Sequence, residues 1–239
     1  VILPRLAELA AGAKLHEGGE HTAVVLAPSR RSMSTEAAAA VASLLRATPD
    51  EGRLRLAVTY PEPLILLEHE AAGEAVRELR AAGVDAFEVP AHEVLGKQSS
   101  FEVEHVEADE ESWTFCARGG TKRQLARGAP RFVAQGQKLV LRDDRRRNEP
   151  LALVFQPSGE PLCLTAFSVR SGELGMTPPQ RLQALVDELV APPGRGTTIP
   201  GCSAPALLAP TVDGARSNTQ SLVLAARLLR WRAERDSLG

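Results

Sequence analysis

Between His21 and Val89 short apolar runs alternate with stretches of helical spacing, and few residues are left over for loops. Thr22–Leu26 is an apolar run that ends at Pro28-Ser29. Ser34-Thr35-Glu36 then opens an Ala-rich segment to Arg46, in which Val41, Leu44 and Leu45 recur at three–four spacing. That pattern predicts a helix capped by Ser34 or Thr35. Thr48-Pro49-Asp50-Glu51 places a cap residue, a proline at the first helical position and an acid three residues after the cap, which predicts a capping box. Leu54, Leu56 and Val58 supply the apolar content of this second helix, Pro61-Glu62-Pro63 stops it, and Leu64–Leu67 is a second apolar run. Ala72, Val76 and Leu79, extended by Ala82, form one stripe opposite Glu74, Arg77, Glu78 and Arg80. Gly83 supplies a left-handed cap, and Ala86–Val89 is the closing strand. The predicted order is β-α-α-β-α-β.

From Ser99 the period changes to two. Phe101, Val103 and His105 alternate with Glu102 and Glu104, and Trp113, Phe115 and Ala117 alternate after a polar turn at Ala108–Glu111. Arg118-Gly119-Gly120-Thr121 reads as a hairpin turn. Further strands are expected at 122–126, 130–134, 138–141, 151–156 and 162–167, with a charged loop from Arg142 to Glu149. Thr177-Pro178-Pro179 starts an amphipathic helix with Leu182, Leu185, Val186 and Leu189 on its apolar face. Residues 192–210 read as a Pro/Gly-rich surface loop, and Ser217 or Asn218 caps a final helix from Gln220 to Arg235, with Leu222, Ala225, Ala226 and Leu229 on one face. The expected organisation is a tail or short helix (1–20), an α/β domain (21–95), a β-rich domain (99–191), a loop (192–216) and a C-terminal helix (217–239). The expected fold class is α+β, with a seven-stranded antiparallel barrel-like second domain and C-terminal helices.

The element order of the first domain, and its Leu-Arg-Ala-Ala-Gly-Val-Asp-Ala-Phe-Glu-Val ending (residues 79–89) in particular, resembles the C-terminal domain of the bacterial ribosomal stalk protein. The related Clp-protease adaptor shares that fold. The resemblance covers roughly His21 to Pro90, under a third of the chain, and lies in register and hydrophobic pattern. It implies a docking module that binds protein through a helix face. The stalk domain's lysines and Gly-Leu loop have no counterpart here, because Thr35–Val41 is Ala-rich and Thr48–Glu51 is acidic, so its factor-binding role is not carried over. Strands followed by a helix in the second domain look like a pleckstrin-homology-like arrangement, in which the helix plugs one end of a barrel.

Composition narrows this picture only modestly. The 239 residues carry a formal charge of −2, and their basic charge is matched by acid, which argues against general nucleic-acid binding. Arginine abundance with scarce lysine suggests a GC-rich bacterial genome. Cys116, Cys163 and Cys202 are widely spaced with no Cys-x-x-Cys and no companion histidine, so buried, reduced thiols are expected. No apolar run is long enough to span a bilayer, Val1-Ile2-Leu3-Pro4 does not read as a secretory signal, and a cytoplasmic location is the default expectation. The chain begins without Met, consistent with a processed or incomplete N-terminus.

No catalytic, cofactor or metal residue is assigned. His69, flanked by Glu68 and Glu70, has no further ligand at a standard spacing, and Ser32, Ser34 and Ser203 lack a nucleophile elbow. The Arg142–Arg147 cluster neutralises itself through Asp143 and Asp144. Arg118, Lys122, Arg123 and Arg131 are candidate anion contacts; Thr35, Arg46, Asp50 and Glu51 are candidate partner contacts. Arg227, Arg230, Arg232 and Arg235 with Trp231 make the last helix basic, and interspersed Glu234 and Asp236 favour a docked surface helix. The expected function is a non-enzymatic protein-interaction or regulatory module with an unidentified protein partner. The alternatives are a site for a small anionic ligand or substrate between the two domains, and a subunit of a larger assembly.

Overall fold

The computed structural model describes residues 21–27, 34–57, 61–96, 99–142, 145–169, 175–198 and 212–236. They fall into two compact units: residues up to 96 together with those from Arg227 onward, and residues 99–226.

The first unit is built on a three-stranded antiparallel sheet of β1 (His21–Leu26), β2 (Glu62–Glu68) and β3 (Ala86–Pro90), in the order β2-β1-β3. The central β1 is covered on both faces, which is why Ala23, Val24 and Val25 are all wholly buried and why its sequence is a continuous apolar run rather than an alternating one. One face of the sheet meets α1 (Thr35–Leu45) and α3 (His69–Ala81), whose Ala37, Val41, Ala72, Ala75, Val76 and Leu79 close over Val24, Leu26 and Leu64. Ser34 caps α1 by accepting from the Ala37 amide at 3.0 Å. Between them, α2 (Pro49–Leu56) starts with the expected capping box: the Thr48 hydroxyl accepts from the Glu51 amide and the Glu51 carboxylate from the Thr48 amide. Pro63 lies inside β2, opposite Val25, where the β1–β2 register shifts. A short helix that the sequence pattern does not predict, α4 (Ala91–Leu95), follows β3 directly and buries Ala91 and Val94.

The second unit holds β4 (Phe101–Ala108), β5 (Ser112–Ala117), β6 (Lys122–Ala126), β7 (Arg131–Arg142), β8 (Arg145–Phe155), β9 (Leu162–Thr165), α5 (Pro178–Val190) and β10 (Gly194–Thr198). Its seven strands lie in the order β10-β7-β8-β9-β4-β5-β6. The expected antiparallel barrel needs correcting in two respects. The sheet is mixed, because β10 runs parallel to β7 and β4 parallel to β9. It is also open, with β10 and β6 as its two edges. The β10–β7 pairing follows from connectivity: β10 is reached through α5, and a strand returning through a helix can lie parallel to its neighbour. The seventh strand also comes from a segment expected to be loop, while the two strands expected at 130–134 and 138–141 are one, β7. The charged segment expected as a loop is largely strand, with Arg142 paired to Arg145 across the β7–β8 hairpin. Rather than plugging a barrel end, α5 lays Leu182, Leu185, Val186 and Leu189 on the sheet over Trp113, Phe115, Val133 and Val154.

The last helix, α6 (Val212–Asp236), is longer than expected, so Ser217 and Asn218 sit inside it rather than at its cap. Leu222–Ala226 are five consecutive buried residues, and Leu228 rather than Leu229 continues the buried set. Residues 1–20 and 199–211, which hold the expected tail and most of the expected loop, lie outside the described residues.

Candidate functional site

The four candidate partner contacts lie on the α1–α2 hairpin. Thr35 opens α1, and Arg46 closes it in a left-handed conformation at φ 53°. Asp50 pairs with Arg53 at 3.3 Å on α2. The Glu51 carboxyl is held below the ordinary glutamate range, chiefly by the Thr48 amide and then by its hydroxyl. The two helices approach closely at Gly52, where a Cβ would stand 2.1 Å from the Ala38 carbonyl oxygen. Gly52 is the only buried residue of α2. Leu54, part of the apolar content of α2, is 75% exposed beside Asp50, Glu51 and Arg53.

The four candidate anion contacts do not converge. Arg118 is exposed in the β5–β6 turn, where Gly119 and Gly120 have φ of 97° and 85°. Lys122 and Arg123 are adjacent on β6 and therefore point to opposite faces. Lys122 bonds the Glu107 carboxylate at 3.2 Å, which holds its ammonium above the usual lysine pKa. Arg123 lies over the Phe101 ring and bonds Glu160, whose carboxylate also accepts from Ser99. Arg131 is 6% exposed. Its five N–H donors go to the carbonyls of Arg127, Ala129, Glu188, Leu189 and Ala191, which leaves none for an external anion. Arg127 and Arg131 both lie against the Trp113 ring, at 4.5 and 4.8 Å from its centre.

The outer face of β4, β5 and β6 assembles a group that sequence spacing does not reveal. A register shift between Val103 and His105 breaks the expected alternation. Phe101, Val103 and Val106 keep to the core, while His105 turns to the other face opposite Cys116. Glu107 is on that face two residues further along, and Lys122 pairs with Cys116 from β6. His105 Nε2 lies 3.3 Å from Glu107 Oε1, and a ring nitrogen, a carboxylate oxygen and the Cys116 thiol lie within 4.8 Å of one another. Nδ1 of His105 is buried with no hydrogen-bond partner, and Cys116 is a free, buried cysteine. The one sequence clue was the spacing Phe101-x-Val103-x-x-Val106, one residue too long for simple alternation.

His69, the histidine flanked by carboxylates in sequence, bonds Thr22 Oγ1 at 3.3 Å and faces Glu88 at 3.9 Å. A shallow polar hollow lined by Asp109, Glu110, Glu111, Ser112, Gln124 and Ala126 surrounds the β4–β5 turn. There Asp109 is held below the usual aspartate range, first by the Glu111 amide and then by that of Ser112. Of the basic residues in α6, Arg227 faces Glu93 and Arg232 meets Asp85 at 3.0 Å, and beside them Trp231 donates to the Glu88 carbonyl at 3.0 Å, all within the first unit.

These features define the class of the molecule: an α/β unit with a three-stranded antiparallel sheet, and a unit built on an open seven-stranded mixed sheet covered by a helix. No family model, curated protein or solved structure matches the chain. Among the described residues no helix is long and apolar enough to cross a membrane.

Proposed function

We propose that this chain is a cytoplasmic, non-enzymatic bacterial module for protein interaction or regulation, whose partner docks on the α1–α2 hairpin of the first unit. The observation that carries the reading is Leu54, a large apolar side chain left 75% exposed on a helix anchored through Gly52. An exposed apolar anchor rimmed by Asp50, Glu51 and Arg53 is the arrangement of an interface hot spot, in which a central side chain fills a partner's pocket and the polar rim excludes water. Thr35 and Arg46 mark the two ends of α1 beside it. The likeness to the stalk and Clp-adaptor domains, which dock through a helix face, supports the same surface. The partner expected here is a folded protein with an apolar pocket edged by polar groups.

The test is site-specific photo-crosslinking in the source cells, with the reactive residue at position 54 and, for comparison, at the exposed position 74 of α3. A discrete adduct from position 54 alone is expected, competed by added wild-type protein but not by Leu54→Asp, whose stability should lie within about 0.5 kcal/mol of wild type. Equal adducts from both positions, or equal competition by Leu54→Asp, would overturn the reading.

A further inference from the structure

We propose that His105, Glu107 and Cys116 bind one divalent cation of the zinc class, clipping β4 to β5 on the outer face of the second unit's sheet. Three donor atoms, one each of nitrogen, oxygen and sulfur, already lie within 4.8 Å of one another. That donor set suits a borderline cation better than a hard one such as magnesium or calcium. Zinc bonds of roughly 2.0–2.3 Å in tetrahedral geometry need donors about 3.5 Å apart, so the cluster has to contract by about an ångström. Glu107 can supply much of that movement, because its side chain is 55% exposed.

His105 meets Glu107 through Nε2, 3.3 Å from Oε1; Nδ1, the buried nitrogen with no hydrogen-bond partner, is the other ring nitrogen. The carboxylate is divided in a manner that fits a ligand: Oε1 faces His105 at 3.3 Å, while Oε2 is held by Lys122 at 3.2 Å. One oxygen can take the metal while the other keeps an orienting partner, the usual outer shell of a metal-bound carboxylate.

Charge and protons balance. The Cys116 thiol gives up its proton to solvent as the sulfur–metal bond forms. The resulting thiolate and the Glu107 carboxylate offset the two positive charges, and His105 binds as neutral imidazole. Lys122 stays protonated beside them. With three protein donors, a water would complete four-coordination.

The experiment uses the full chain, tag-free and stripped with chelator, titrated with Co²⁺ and followed by absorption. Binding of one equivalent is expected, with a thiolate-to-cobalt charge-transfer band and the ligand-field bands of four-coordination, both displaced by Zn²⁺. The band should persist in the double variant Cys163→Ser/Cys202→Ser, disappear in Cys116→Ser, and require at least about tenfold more metal in Glu107→Gln and His105→Asn. Should Cys116→Ser fail to fold by circular dichroism, His105→Asn, at a partly exposed position, decides alone. Absence of the band at stoichiometric cobalt, its loss in the Cys163→Ser/Cys202→Ser protein, or unchanged affinity in His105→Asn would overturn the site.

Discussion

Replacing Arg131 tests whether this residue is a structural clasp. Three of its five bonds are short: to Leu189 and Arg127 at 2.7 Å and to Ala129 at 2.9 Å. Those to Ala191 and Glu188, at 3.2 and 3.4 Å, are longer. The acceptors belong to the end of α5 and to the turn before β7, so one guanidinium ties the helix terminus to the sheet. Bonds from a charged donor are worth about 1.5–3 kcal/mol each, and an acceptor left buried and unpaired costs about 1–3 kcal/mol. Against this, a methionine at position 131 still packs on Trp113 and removes the cost of burying a cation. Arg131→Met is therefore expected to lose about 3 kcal/mol, near the upper end for single substitutions. Arg131→Lys should lose about half as much, because an ammonium keeps the charge but has three donors and no fork. Urea unfolding read by Trp113 fluorescence, in a Trp231→Phe background, gives the second unit's stability. Hydrogen exchange should show faster opening at the end of α5 and in β10. The cost should change little with salt, because the group is buried. A loss for Arg131→Met below about 1 kcal/mol, or protection unchanged at α5, would refute the clasp.

Gly52→Ala should destabilise the first unit by about 2 kcal/mol in a thermal melt, because its Cβ meets a backbone oxygen of α1 at 2.1 Å and overpacking outweighs the gain in helix propensity. Thr48→Ala should cost about 1 kcal/mol in the same assay. The Glu51 carboxyl is depressed by Thr48, so its contribution is present above the ordinary glutamate pKa and fades as pH falls through the depressed value. A carboxyl-carbon NMR titration should show the midpoint below the ordinary value in wild type and moving up towards it in Thr48→Ala. Replacing Trp231 by Phe removes the 3.0 Å bond to the Glu88 carbonyl and should cost the first unit about 1 kcal/mol in urea unfolding followed by circular dichroism.

The first unit was largely legible because α1 and α2 carry their start chemistry, and α3 its stop, in adjacent residues. Ser34, Thr48 with Glu51, and Gly83 act within a few positions of themselves. The exposure of Leu54 is not legible in the sequence, because the close approach of α2 to α1 depends on Gly52 and Ala38, small residues that carry no hydrophobic signal. In the second unit the strands that alternate cleanly were visible, whereas β10 was not. Its Gly194-Arg195-Gly196 reads as loop, yet those glycines let it pass beside Leu189 and Val190, where a Cβ at Gly194 would meet a carbonyl oxygen at 2.0 Å. The charged residues from 145 to 149 likewise hid the start of β8, because ladder pairing to β7 extended the strand through residues of poor β propensity. The His105 cluster depends on one register shift and on a cross-strand pairing that sequence separation conceals.

The return of residues 227–236 to the first unit sets an order of assembly. During synthesis β1, β2, β3 and the first four helices leave the ribosome early, yet Asp85, Glu88 and Glu93 wait for Arg232, Trp231 and Arg227. All of the second unit has to be translated in between. The first unit is thus begun before the second and completed only after it, and until then it presents an uncovered strand and short helix to whatever is nearby.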